Sequence, residues 1–226
     1  MTGFVLVPGA CHGAWWYDPL VAQLTREGHT AKAVTLAGLE DEPRLDRLIN
    51  LDTHIEQTGR LVTELVVETS ADTPGVVLVG HSYAGSVITA VADQMPDRIR
   101  ALVYLDAFIP EDGDSCWAMT NDEQRQWYVN GAATTGYGVD PLPFFDERAR
   151  PHPEATLLQA CRLTGAWRQV PTKIHVTALD WSGESPMAGA SQRARNDPQF
   201  VTYEWSTRHN VMHDGPGRVL DLIHDL

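Results

Sequence analysis

Short apolar runs alternate along the chain with longer stretches in which apolar residues recur at helical spacing. Unbroken β-branched runs are typical of strands covered on both faces of a parallel sheet. On this basis strands are predicted at residues 4–7, 30–36, 76–79, 101–105, 173–178 and 200–205. Helices are predicted between them at residues 18–26, 52–69, 84–91, 187–196 and from 216 onward. The alternation predicts an α/β fold with a six-stranded, mainly parallel sheet flanked by helices.

The alternation stops after the strand at 101–105. Residues 110–171 contain no clear strand, and they carry many aromatic side chains among prolines and glycines. A long aromatic insertion of this kind is typical of a lid over a pocket, although a set of helices that completes the core is the alternative. We therefore predict one structural unit with a core of residues 1–109 and 172–226 and a helical lid of residues 110–171. The lid residues predicted to bind substrate are Trp117, Trp127, Tyr128 and Phe144.

The stretch 76–86 changes from strand to helix within a few residues. A serine, Ser82, stands on the turn, and the residues around it are small: Gly80, Ala84 and Gly85. A serine on so tight a turn is typical of a nucleophile elbow, in which helix and strand approach closely. Ala84 replaces the second glycine of the Gly-x-Ser-x-Gly consensus. A serine-capped helix is the alternative, whereas a phosphate loop is disfavoured because Ser86 stands where its lysine would be.

Serine is a poor nucleophile unless a histidine takes its proton and a carboxylate orients that histidine. His209 follows the last predicted strand and Asp180 follows the strand before it, which gives the order serine, acid, histidine at the carboxyl edge of the sheet. Asp106, just after the strand that follows the elbow, is a second candidate for the acid, and Asp180 is favoured. His213 is the alternative base, and His209 is favoured because it lies closer to the strand end.

An acyl-transfer site also needs two donors for the oxyanion of the tetrahedral intermediate. The amide of Tyr83 and the amide of Ala10, in the small-residue turn after the first strand, are predicted to supply them. Trp181, beside the predicted acid, is grouped with the substrate-binding aromatics. His12 and His81 are interpreted as a hydrogen-bonding scaffold. The other histidines are interpreted as solvated or structural: His29, His54, His152, His175 and His224.

Composition narrows the possible partners. Among 226 residues, 17 are basic and 30 are acidic, and the formal charge of -13 disfavours binding to nucleic acid or anionic membranes. A small-molecule substrate is therefore expected, and a homodimer stays open. Three scattered cysteines, Cys11, Cys116 and Cys161, predict reduced thiols and a cytoplasmic location. Neither a metal nor another cofactor is predicted, and neither a signal peptide nor a transmembrane span is expected.

Four stretches of the sequence together resemble a known family. They are Phe-Val-Leu-Val-Pro-Gly-Ala-Cys-His-Gly-Ala-Trp-Trp at 4–16, Gly-His-Ser-Tyr-Ala-Gly at 80–85, Tyr-Leu-Asp-Ala-Phe-Ile-Pro at 104–110 and His-Asn-Val-Met at 209–212. This pattern is similar to the α/β-hydrolase branch that contains plant methyl-ester esterases and hydroxynitrile lyases, with their bacterial relatives. The resemblance implies Ser82, Asp180 and His209 as the triad, and Ala10 and Tyr83 at the oxyanion hole.

Some positions depart from that family pattern. Pro8 stands where relatives have a histidine at the start of the oxyanion loop, and Asn210 and Gly9 replace the lysine and threonine of the lyases. Without the lysine a cyanide leaving group has no stabilising cation, so the resemblance favours a serine esterase that works through an acyl-enzyme. The alternatives are carbon–carbon cleavage or cyclisation on the same scaffold, and non-catalytic binding of a small ligand.

Overall fold

The computed structural model of the protein describes residues 1–43, 48–69, 75–224 and 226. The first half of the chain contains β1 (Gly3–Val7), α1 (Asp18–Arg26), β2 (Thr30–Ala33), α2 (Leu51–Thr69), β3 (Val76–His81), α3 (Ala84–Gln94) and β4 (Ile99–Leu105). The middle contains α4 (Cys116–Met119), α5 (Asp122–Thr135), β5 (Gly138–Val139), β6 (His152–Pro153) and α6 (Ala155–Leu158). The last part contains β7 (Thr172–Ala178), α7 (Ala188–Asn196), β8 (Phe200–Trp205), α8 (Val211–Asp214) and α9 (Pro216–His224).

Six strands form one parallel sheet in the order β2-β1-β3-β4-β7-β8. The predicted α/β fold with a six-stranded sheet is therefore confirmed. All carboxyl ends lie at one edge, and β3 and β4 are neighbours in register, with His81 opposite Leu105. The residues that directly follow these two strands, Ser82 and Asp106, are thereby brought side by side.

The sheet separates two layers of apolar packing. Along β1, Val5 and Val7 face the layer that contains α2 and α3, whereas Phe4 and Leu6 face the layer that contains α1 and α9. Successive side chains of a strand point to opposite faces, so a strand buried on both sides shows the unbroken apolar run seen in the sequence. The core therefore holds the carboxyl edge rigidly from both sides.

The predicted lid, residues 110–171, contains three helices and a small antiparallel pair, β5 and β6. These strands are two residues long, too short to leave a periodic pattern in the sequence. Tyr128 and Trp167 are buried in the same apolar layer as α2 and α3. Part of the segment thus completes the core, which was the alternative interpretation, and a lid function remains a prediction. Over the described ranges, no helix is long and apolar enough to cross a membrane.

Candidate active site

The turn after β3 holds Ser82 in an unusual backbone conformation. Its φ is 54°, in the left-handed region that residues other than glycine rarely adopt. The Ser82 carbonyl accepts hydrogen bonds from the amides of Gly85 and Phe108, each at 3.1 Å, and its amide donates to Leu105 O at 3.3 Å. Strain of this kind persists only where the surroundings enforce it, and it is concentrated at functional sites.

Close packing explains which small residues this turn requires. A Cβ atom added to Gly85 would lie 2.0 Å from Phe108 O, so no side chain fits there. At Gly80 an added Cβ would meet Ile88 Cδ1 at 3.0 Å and Ala84 O at 3.1 Å. Ala84 itself is fully buried within α3. The departure from the consensus at Ala84 is therefore accommodated by the packing, and Gly85 is the position with no tolerance.

Asp106 occupies the equivalent turn after β4. It is 0% exposed and has a φ of 44°. Its Oδ2 lies 2.7 Å from Nδ1 of His209 and accepts the indole N–H of Trp181 at 3.2 Å. Its Oδ1 accepts the Ala178 amide at 3.1 Å. A buried carboxylate is strongly disfavoured without such partners, and here two N–H donors and the His209 ring satisfy it.

The preference for Asp180 as the acid is corrected by this geometry, because the carboxylate in contact with His209 belongs to Asp106. Asp180 is exposed, and its amide donates to Thr207 O at 3.0 Å. The ladder between β7 and β8 thus continues past the strand end and carries Asp180 along the outer side of the sheet. Asp106 lies one strand closer to the elbow and is turned inward by its positive φ.

His209 lies between the acid and the elbow. Its carbonyl accepts Nε2–H of His81 at 2.9 Å, and its ring lies 4.5 Å from the His81 ring and 4.8 Å from that of Trp181. Because Nδ1 faces Asp106, Nε2 is left for the nucleophile. His213, the alternative base, is exposed and bonds Asp214 at 2.9 Å.

Ser82 and His209 are not hydrogen-bonded to each other in this structure. Across the described part of the chain, neither the Ser82 hydroxyl nor Nε2 of His209 has a hydrogen-bond partner within 3.5 Å. Ser82 is nevertheless partly exposed and sits directly beside His81, whose ring packs on His209. Catalytic hydrogen bonds in sites without substrate are often long and tighten in the complex.

The loop after β1 lies against the elbow. A Cβ on Gly9 would be 2.6 Å from His81 Nδ1 and 3.1 Å from Ser82 Cβ. Within the described ranges, the amides of Ala10 and Tyr83 donate to no protein acceptor. Two free N–H groups on either side of the serine are the arrangement expected for an oxyanion hole, and the assignment of these two amides remains a prediction.

A buried network, not foreseen from the sequence, supports both sides of this candidate oxyanion hole. The Tyr83 hydroxyl lies 2.8 Å from Nδ1 of His54, whose Nε2 lies 2.9 Å from Ala37 O. Because a carbonyl only accepts, Nε2 of His54 carries the proton and Nδ1 accepts from the tyrosine. The Cys11 amide donates to Nδ1 of His152 at 3.3 Å, and the His152 ring packs 4.5 Å from that of Tyr83.

These two histidines are structural, as interpreted, but they also position the residues of the site. Burial lowers the pKa of His54 to about 4 and that of His152 well below its usual range, so both are neutral. Neither histidine belongs to a sequence motif, so the sequence does not indicate that it positions residues of the site. The His-to-backbone contacts that define it appear only when α2 and the 110–171 segment pack together.

The predicted substrate-binding residues fall in different environments. Trp181 contacts Asp106 and His209, as described above. Tyr128 is buried in the core, and Trp117 and Trp127 are half-buried against it, with the Trp127 indole N–H donating to Asp140 O at 3.0 Å. Phe144 is 79% exposed. Their role in binding substrate remains a prediction.

Phe145, not chosen from the sequence, is the lid aromatic in contact with the loop after β1. Its ring lies 4.9 Å from that of His12. The Nδ1 atom of His12 lies 2.7 Å from Ala10 O, and burial lowers the pKa of His12. His12 therefore makes the kind of hydrogen bond predicted for a scaffold residue, and Phe145 is an aromatic neighbour of its ring.

Comparison with known proteins identifies the family. The model of the alpha/beta hydrolase family matches residues 4–222. The chain belongs to the α/β-hydrolase family. A carbendazim-hydrolysing esterase of Nocardioides sp. (strain SG-4G) is 30% identical over 99% of this chain and 98% of its own length. Salicylic acid-binding protein 2 of Nicotiana tabacum is 39% identical over 48% of this chain and 40% of its own length.

The solved structures agree on the fold. An extracellular α/β-hydrolase from a Paenibacillus species superposes with a TM-score of 0.76 at 22% identity, covering 100% of this chain and 98% of the other. The predicted family branch is confirmed by the family match and by the esterase and methylesterase relatives of this chain. The enzyme class, a carboxylic ester hydrolase, is confirmed by the esterases among the relatives of this α/β-hydrolase chain.

Proposed function

We propose that the protein is a serine esterase that cleaves carboxylic esters of small hydrophobic or aromatic substrates through an acyl-enzyme, with Ser82, His209 and Asp106 as its triad. The observation that carries this proposal is the 2.7 Å contact between buried Asp106 and His209, next to a serine held in a strained turn. A buried carboxylate, a histidine and a strained serine at one sheet edge suit acyl transfer.

The reaction follows from this arrangement. Ser82 Oγ attacks the ester carbonyl while Nε2 of His209 takes the hydroxyl proton. Asp106 fixes the tautomer of His209 and stabilises the imidazolium that forms. The amides of Ala10 and Tyr83 donate to the oxyanion. Collapse of the tetrahedral intermediate transfers the proton from His209 to the departing alcohol.

The second half of the reaction releases the acid. A water molecule attacks the acyl-enzyme, and His209 again takes the proton as general base. The new tetrahedral intermediate collapses, the proton returns to Ser82 Oγ, and the carboxylic acid leaves. No cofactor takes part in either half of this proposed reaction.

The surroundings of the site favour a neutral substrate with apolar groups. Trp181 and Phe145 border the triad and the oxyanion loop, and the neighbouring His12 and His81 are held neutral because burial lowers their pKa values. The net charge of -13 agrees with a small-molecule partner and disfavours nucleic acid and anionic membranes. The three unpaired cysteines support a cytoplasmic location. Relatives named as esterases support the reaction class.

The nucleophile can be tested with a panel of aryl and methyl esters. Ser82→Ala should lower kcat by on the order of 10⁶, since no acyl-enzyme can form without the serine hydroxyl. Ser86→Ala is the matched control, because Ser86 lies four residues further along, in α3, and its hydroxyl faces the Cys116 thiol at 3.4 Å. We expect this control to retain activity within about tenfold.

Covalent labelling gives a second reading of the same test. An aryl phosphonate should modify Ser82 in the wild type and in Ser86→Ala, as located by peptide mass spectrometry, and should fail to modify Ser82→Ala. Ester turnover that survives Ser82→Ala would refute the serine mechanism.

A further inference from the structure

Trp181 contacts the acid and the base at the same time. Its indole N–H donates to Oδ2 of Asp106 at 3.2 Å, and its ring lies 4.8 Å from the His209 ring at an angle of 42°. Oδ2 is the oxygen that also faces Nδ1 of His209. One carboxylate oxygen is therefore shared between His209 and Trp181.

The remaining contacts fix the carboxylate independently of Trp181. Oδ1 of Asp106 accepts the Ala178 amide, and the Asp106 amide donates to Val176 O at 2.8 Å. The side chain is thus anchored from β7 even without the indole. The tryptophan contact adds a second donor to the oxygen that stabilises the imidazolium.

We propose that Trp181 is a positioning residue of this site, whose indole N–H holds Oδ2 of Asp106 and moderates the negative charge that His209 experiences. The proposal rests on the roles of Asp106 and His209 in the proposed function. It differs from the interpretation of Trp181 as a residue that binds substrate. The ring contact with His209 needs only an aromatic side chain, whereas the contact with Asp106 needs an N–H donor.

The other ionisable groups around the pair set the background for this effect. His209 contacts Asp106 and the ring of His81, and it interacts electrostatically with His12. Asp106 contacts His209 and interacts electrostatically with His175 of β7. Burial keeps His81, His12 and His175 neutral. Among the described residues, Asp106 is therefore the charged group in direct contact with His209. A change in the charge on its Oδ2 should alter the protonation of His209 without being offset by another charged neighbour.

Removal of the indole N–H should shift the protonation of His209 in a definite direction. A donor to Oδ2 withdraws negative charge that would otherwise stabilise protonated His209, so its loss raises the pKa of His209. Trp181→Phe keeps an aromatic ring and removes the N–H. We expect the acid limb of the pH profile of kcat/KM to move to higher pH by about half a pH unit or more. KM should stay within about threefold of wild type.

Two further variants separate the N–H from the ring. Trp181→Gln has an N–H donor the same number of bonds from Cα, and its acid limb should return to the wild-type position. Trp127→Phe removes an indole N–H that is donated to Asp140 O instead, and its acid limb should stay at the wild-type pH whatever its KM. A changed KM with an unmoved acid limb in Trp181→Phe would overturn the proposal in favour of substrate binding.

A titration that needs no activity distinguishes this proposal from the proposed function. NMR of ¹³C-labelled histidine follows His209 in Ser82→Ala, with His209→Gln to assign its signal and thermal melting to confirm folding. Adding Trp181→Phe should move the titration upward by about half a pH unit or more. Adding Trp181→Phe to a protein that also carries Asp106→Asn should move the midpoint of the His209 titration by less than a third of that shift, because the carboxylate that transmits the effect is gone.

The outcomes of this titration are separable. An equal shift with and without the Asp106 carboxylate, or no shift in either, would refute the role of Trp181. Ester turnover by Ser82→Ala would refute the serine mechanism, and the titration would still report whether Trp181 acts on His209 through Asp106.

Discussion

At the scale of single residues, the backbone angle decides which aspartate reaches the histidine. Asp106 and Asp180 each follow a parallel strand, so both satisfy the positional rule that predicts the acid. Asp106 has a φ of 44° and turns inward, whereas Asp180 continues the pairing between β7 and β8 into solvent. The choice between the two aspartates also depends on which strands are neighbours in the sheet. Strand order cannot be read from a local sequence pattern.

The first prediction at this scale compares the two acids. Asp106→Asn should lower kcat by roughly 10⁴, because the amide favours the wrong tautomer of His209. Asp180→Asn should keep kcat within about threefold of wild type, since its exposed side chain contacts no triad group in the structure. Steady-state kinetics on one aryl ester measure both, and a large loss in Asp180→Asn with normal activity in Asp106→Asn would return the acid to Asp180.

At the scale of elements, periodicity predicted most of the fold and the position of the tight turn that carries Ser82. The apolar runs of β1, β3 and β4 and the small residues after β3 lie where the chain is buried on both faces, so composition and structure coincide there. The interior of the 110–171 segment could not be predicted in the same way. Its strands are two residues long, and its buried His152 acts through contacts with the distant Cys11 and Tyr83.

The elbow gives a prediction at this scale. In Gly85→Ala the new methyl would lie 2.0 Å from Phe108 O, so α3 must shift away from the segment that follows β4. We expect the free energy of unfolding to fall by about 3 kcal/mol or more, with reduced kcat, because Gly85 and Phe108 both bond the Ser82 carbonyl.

A glycine in another helix provides the control. Gly189 in α7 has nothing within 4 Å of an added Cβ, and Gly189→Ala should raise stability by about 0.5 kcal/mol and leave kcat unchanged. Urea denaturation followed by circular dichroism gives both free energies. A Gly85→Ala protein of wild-type stability would mean that the close packing around the elbow is not required.

At the scale of the whole molecule, buried neutral histidines couple stability to pH. Burial lowers the pKa of His54 and of His175 to about 4, and it lowers the pKa values of His81 and His152 well below 6.5. In the unfolded chain each titrates near about 6.5. Between these values the unfolded state binds more protons than the folded state, so stability falls as the pH falls below about 6.5.

The pH dependence contributed by these histidines is large enough to predict unfolding in mild acid. Each such histidine contributes up to about 1.4 kcal/mol per pH unit, so His54 and His175 alone remove about 5 kcal/mol between pH 6.5 and 4. This loss is comparable with the whole stability of an ordinary domain.

Urea denaturation at pH 7, 6 and 5 should therefore show a steep decline in the free energy of unfolding. In His175→Gln the slope of the free energy of unfolding against pH should decrease by about 1.4 kcal/mol per pH unit, because one proton fewer is taken up on unfolding. His213→Gln, at an exposed position, is the control and should keep the wild-type slope. Equal slopes in the wild type and His175→Gln would show that carboxylates, rather than the buried histidines, set the stability of this protein in acid.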